Sequence, residues 1–60
     1  MMYKVVVTTH NDEEGMQVTE FNYVNEYAVI DDYLVLDDET NKVKTHIKNE
    51  QVLEFEVHYE

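Results

Sequence analysis

Cysteine, proline, serine and tryptophan are absent from the sixty residues, and glycine occurs once. Without cysteine there is no disulfide to staple a small fold and no thiolate to hold zinc. With neither cysteine nor serine, the two commonest nucleophiles are missing. One glycine cannot build a phosphate-cradling loop. Positive charge is equally scarce: 4 Lys+Arg stand against 14 Asp+Glu, a formal net charge of −10. That balance leaves no basic footprint for direct nucleic-acid binding and is repelled by an anionic membrane. No run approaches the ~20 apolar residues of a spanning helix, and the first residues do not form a signal peptide. The composition therefore reads as one small cytoplasmic domain over residues 1–60. A domain of this size hides only about 60% of the surface its unfolded chain exposes. It needs good packing or self-association to be stable.

High net charge is a mark of disorder, but here 43% of residues are hydrophobic and they alternate with polar ones. Alternation is the pattern of a strand with one face covered. The predicted strands lie near 2–9, 16–24, 28–36, 42–48 and 52–59. Val5-Val6-Val7 opens the first, because β-branched residues are stiff and pack well on a pleat. His10 to Gly15 is a hairpin loop. In the second strand the phase slips between Val18 and Phe21. A bulge at Thr19-Glu20 repairs it, setting Val7 opposite Val18, Val5 opposite Phe21 and Tyr3 opposite Tyr23. Asp31-Asp32 reads either as a tight turn or as a bulge within one longer strand. Asn41 is the expected left-handed residue of the next turn.

The last strands suggest a register. Ile47 opposite Leu53 places Thr45 against Phe55 and Val43 against Val57. The other face then pairs Lys44 with Glu56 and His46 with Glu54. Leu36 opposite Val43 similarly sets Asp37 against Lys42. No apolar stripe of helical period persists. The fold class is all-β: an antiparallel meander of about five strands. It is expected to curl into a small SH3-like or Sm-like barrel, or to remain a bent open sheet. The expected core is Val5, Val7, Val18, Phe21, Leu34, Leu36, Val43, Ile47, Leu53, Phe55 and Val57.

No arrangement of these residues points to catalysis, a cofactor or a metal. His10, His46 and His58 are far apart in sequence and read as surface residues beside carboxylates. Asp37-x-Glu39-x-Asn41 echoes half a calcium loop without its glycine or its distal glutamate, and reads as a solvated turn. The chain is expected to be non-enzymatic. Its charge is more informative, because residues 1–41 hold ten acids and one lysine, while residues 42–60 hold four acids and three lysines. A magnitude of ~2–8 suffices for solubility. The excess suits a basic partner surface, such as that of a nucleic-acid-binding protein. The candidate contact residues are Asp12, Glu13, Glu14, Glu20, Glu26, Asp31, Asp32, Asp37, Asp38 and Glu39, with Tyr27 and Tyr33 as anchors. In size, charge and β content the chain resembles small acidic proteins of bacteriophages and mobile elements, some of which mimic DNA. The resemblance is one of composition and assigns no residue roles. The alternative is a structural subunit that pairs with copies of itself, or with a larger complex, through open sheet edges.

Overall fold

The computed structural model describes residues 2–59. In it the valine run forms β1 (Tyr3–Asn11). It is followed by β2 (Gly15–Val24), β3 (Glu26–Ile30), β4 (Tyr33–Asp38) and β5 (Val43–Lys48). A single 3-10 turn, Asn49–Gln51, leads into β6 (Val52–His58). The chain is all-β and antiparallel. The described residues form six strands because Asp31-Asp32 is a tight turn that divides the expected 28–36 strand into the β3–β4 hairpin. The sheet does not close into a barrel. Two three-stranded sheets form instead, in the orders β2-β1-β6 and β3-β4-β5.

The sheets meet around β4, which faces β1 and the end of β2. Val5, Val7 and Val24 of the first pack with Leu34 and Leu36 of the second, all five being essentially inaccessible to solvent. Tyr3, Phe21, Ile47, Val52 and Val57 pack partly buried around them. The first and last strands pair as expected for a curled sheet, with Val5 opposite Val57 and Val7 opposite Phe55.

The register expected between β5 and β6 does not form. Ile47 is not paired with Leu53, Thr45 with Phe55, Val43 with Val57, Lys44 with Glu56, or His46 with Glu54. β5 pairs with β4, and β6 pairs with β1. The 3-10 turn carries the chain from one sheet to the other. On β1 the last strand gains the fully buried Val5 and Val7 as neighbours, whereas β5 would offer it the partly buried Ile47 and the half-exposed Val43. In the β4–β5 hairpin, Leu36 lies opposite Thr45 rather than Val43, and Asp37 opposite Lys44 rather than Lys42. A shift of two residues keeps every side chain on its face.

Val5 is opposite Phe21 as expected, but Val7 is opposite Thr19 and Tyr3 is opposite Val24. The extra residue therefore sits near Asn22-Tyr23, not at Thr19-Glu20. This moves Val24 into the core and turns Val18 outward, opposite Thr8. Val18, Val43, Leu53 and Phe55 are exposed rather than core. A second irregularity, between Thr8 and Thr9, sets Val52 opposite Thr9 and leaves Leu53 as the extra residue. Phe55 shares the face of Val7 but lies at the open flank, its ring 6.4 Å from that of Tyr27. The left-handed position of the β4–β5 turn is Lys42, with φ of 58°, rather than Asn41. Asn41 instead donates its backbone N–H and its side-chain amide to the Asp38 carboxylate, both at 2.8 Å.

This packing separates two leucines of equal size. Leu34→Ala, at a fully buried site, should cost about 2–5 kcal/mol, enough to unfold most of a domain this small. Leu53→Ala, at a residue 59% exposed, should stay within about 1 kcal/mol of the parent. Thermal melts followed by circular dichroism measure both. Equal melting temperatures for the two variants would contradict the assigned core.

Candidate interaction surface

Most of the acidic residues occupy two opposite ends of the stacked sheets. One end gathers three connections: the β1–β2 turn, the β3–β4 turn and the 3-10 turn. The backbone N–H of Asn49 donates to the carbonyl of Asp32 at 2.7 Å, which ties the 3-10 turn to the β3–β4 turn. Glu50 and Gln51 share a shallow hollow with His10, Asn11 and Asp12. Glu50 also lines a second hollow with Asp32, Tyr33, Lys48 and Asn49. The fold thus brings Asp12, Glu13, Glu14, Asp31, Asp32 and Glu50 to one end, with Lys48 as the neighbouring cation.

Local chemistry fixes both acidic turns. Asn11 accepts the backbone N–H groups of Glu13 and Glu14 on its Oδ1, at 3.1 and 2.6 Å. Glu14 in turn accepts from the Gln17 amide at 2.7 Å. A side chain bonding to backbone two and three residues on is the usual Asx device for a tight turn. Gly15 closes this hairpin with φ of 74°, and Asp31 turns the next with φ of 55°. Aspartate is among the few residues that visit this left-handed region readily.

Asp37, Asp38 and Glu39 lie at the opposite end. The six residues of β4 separate them from Asp31 and Asp32 by about 20 Å, at ~3.3 Å per residue. Asn25, the corner between the sheets, organises this end. Its N–H donates to the Asp37 carbonyl, and its Oδ1 accepts the Glu39 N–H, both at 2.8 Å. Glu20 stands apart on the outer face of β2, in an ion pair of 2.8 Å with Lys4. Glu26 begins β3 beside Asp37. The two tyrosines also separate. Tyr27 packs edge-on to Tyr3 and Phe55 at the flank between the sheets. Tyr33 lies on the outer face of β4, its ring 6.0 Å from His46. The twelve candidate residues therefore do not form one patch. The β1–β2 and β3–β4 turns supply five of them to a shared end, and Glu50 joins these as a residue the sequence pattern did not single out. Its signal was its place in Asn49-Glu50-Gln51, which reads as an ordinary hairpin turn.

Hydrogen bonding and charge perturb three groups. Lys4, by its hydrogen bond and its charge, holds Glu20 below the usual carboxylate range. Hydrogen bonds from Asn41, side chain first and then backbone, do the same for Asp38. A hydrogen bond with Tyr59, aided by loss of water, pushes the Tyr27 phenol up. The two lowered carboxylates favour the fold above the ordinary carboxylate pKa, and that contribution disappears as pH falls through their own lowered values. Solvent screening keeps it small. His46 and His58 lie on different sheets and so are not neighbours, and His58 is 3.4 Å from Glu56. Among the described residues no three His, Asp or Glu side chains are placed to share a metal ion. No helix among them is long and apolar enough to cross a membrane. No protein-family model, curated protein or solved structure matches the chain.

The Asn11 contacts predict a local effect. Asn11→Ala leaves two backbone donors without their acceptor, each bond being worth about 0.5–1.5 kcal/mol net. Amide hydrogen exchange should accelerate several-fold at Glu13 and Glu14 and stay unchanged at Val5 and Leu34. Unchanged exchange at Glu13 and Glu14 would show that the turn is held by something else.

Proposed function

We propose that this chain is a non-enzymatic interaction module whose three-turn end docks on a basic protein surface. The observation that carries the reading is the convergence of Asp12, Glu13, Glu14, Asp31, Asp32 and Glu50 around the hydrogen-bonded 3-10 turn. Clustered carboxylates raise the local potential and steer a cationic partner toward that end. Placement on turns tied to a sheet sandwich limits the entropy lost on docking. The class of partner that suits it is a Lys/Arg-lined groove of the kind that binds nucleic acid, with the carboxylates standing where phosphates would.

Position can be separated from net charge. The triple variant Asp12→Asn, Asp32→Asn, Glu50→Gln removes three charges from the three-turn end. A matched control, Glu39→Gln, Glu54→Gln, Glu56→Gln, removes three from elsewhere. Pull-down from a bacterial lysate at low and high salt, with bound proteins identified by mass spectrometry, compares both with the parent. The parent and the control should retain basic proteins at low salt and release them as screening sets in beyond a Debye length of ~10 Å at 0.1 M. The end variant should lose them at both. Equal capture by all three proteins would defeat the proposal.

A further inference from the structure

The outer face of the β3-β4-β5 sheet differs from that of the β2-β1-β6 sheet. Leu34 and Leu36 of β4 point to the core, so Tyr33, Val35 and Asp37 point away from it. The register sets Ile30 and Lys48 beside Tyr33, Ala28 and His46 beside Val35, and Glu26 and Lys44 beside Asp37. The floor of this face is apolar: Ala28, Ile30, Tyr33 and Val35. Val35 is only 8% exposed although it faces away from the core, while Ile30 is 54% exposed. A shallow hollow runs over Glu26, Ala28, Ile30, Val35, Asp37 and Lys44.

Charge distinguishes the face further. Lys44 and Lys48 make no ion pair among the described residues, although carboxylates greatly outnumber lysines in the chain. With Glu26 and Asp37 they bring the face to a formal charge of zero. The outer face of the β2-β1-β6 sheet carries Lys4 against Glu20, Glu54 and Glu56, and both ends are acidic. In a molecule of net charge −10, the two ends and the other outer face repel a second copy, and this face does not.

We propose that this face is the contact between two copies of the chain. Its charges are arranged to complement themselves. Glu26 lies on the β3 side and the two lysines on the β5 side, with β4 between. A two-fold axis along β4 lays β3 of one copy over β5 of the other. Each Glu26 then meets Lys44 of the second copy, twice per dimer, as an isologous contact requires. Val35 meets Val35 at the centre, and the two Asp37 side chains face each other on the axis, each flanked by Glu26 and Lys44. Stacked sheets about 10 Å apart accommodate this. Three strands of five or six residues offer less than the ~800 Å² per partner of a standard interface. The dimer is accordingly weak and concentration-dependent. It uses a surface separate from the three-turn end and does not rest on the role proposed for that end.

Sedimentation velocity on the intact chain, from about 10 μM to about 1 mM, spans the relevant affinities. The parent should move from one chain toward two as concentration rises. Glu26→Lys and Lys44→Glu, both at exposed positions, should each weaken association at least about tenfold, since each sets like charges together. The double variant Glu26→Lys, Lys44→Glu exchanges the two signs and should restore association to near the parent value. Circular dichroism checks that each variant is folded, and the double variant keeps the test decisive if one single variant is not. A parent that stays monomeric throughout would overturn the proposal. So would association indifferent to the single changes, or a folded double variant that fails to recover.

Discussion

Val5 and Val7 of β1 meet Leu34 and Leu36 of β4 at the centre of the molecule, and the rest of the architecture hangs on that contact between two middle strands. Each strand also holds a neighbour on either side: β2 and β6 for β1, β3 and β5 for β4. Four inaccessible side chains thereby set the position of two whole sheets. The flanks are much less covered. Tyr27, Val29, Val43 and Phe55 are all at least a third exposed at the strand edges. A chain this short has too little apolar surface to cover six strands fully. It concentrates burial where two sheets can share it.

Local pattern was readable where the physics is local. Val5-Val6-Val7, the alternation in 43–48 and the turn residues at 11–15 identified strands and hairpins. Val5 opposite Phe21 is expected only through a bulge at Thr19-Glu20, and it forms although the extra residue lies elsewhere. The pairing of the last strand was misread for a different reason. Residues 43–47 and 53–57 alternate alike, so apolar pairs and opposite charges align on paper whichever neighbours they choose. Parity fixes the face of a strand, not its partner. The choice between β5 and β1 for β6 depends on what lies buried on each, and that is a property of the assembled core. Val18 and Val24 illustrate the same limit: one extra residue near Asn22-Tyr23 exchanged their roles. The site was legible in part. The acidic turns are evident in the sequence, but which turns meet at one end depends on the crossing of the 3-10 turn, and the place of Glu50 is set by that crossing.

The distribution of charge follows from the same geometry. Carboxylates at strand ends reach water freely, and the two ends lie about 20 Å apart, so like charges are held away from one another. Lys44 and Lys48 of β5 fall on a face whose floor is apolar. A molecule of uniform sign in composition is therefore not uniform in space. It has acidic ends, a weakly acidic outer face on one sheet and a neutral outer face on the other.

The pairing of β1 with β6 has a kinetic consequence. β2 can join β1 through a short hairpin within microseconds, but β6 must return across most of the chain before Val5 finds Val57. Non-local pairing of this kind places a domain among the slower small folders, in the range of about milliseconds to seconds. During synthesis β1 emerges first and waits, one edge paired and the other bare, until the last strand leaves the ribosome. A bare edge beside three valines invites pairing with another nascent chain. The ten carboxylates of residues 1–41 emerge during that interval, so the acidic charge can keep the unfinished chains apart before it has any partner to meet.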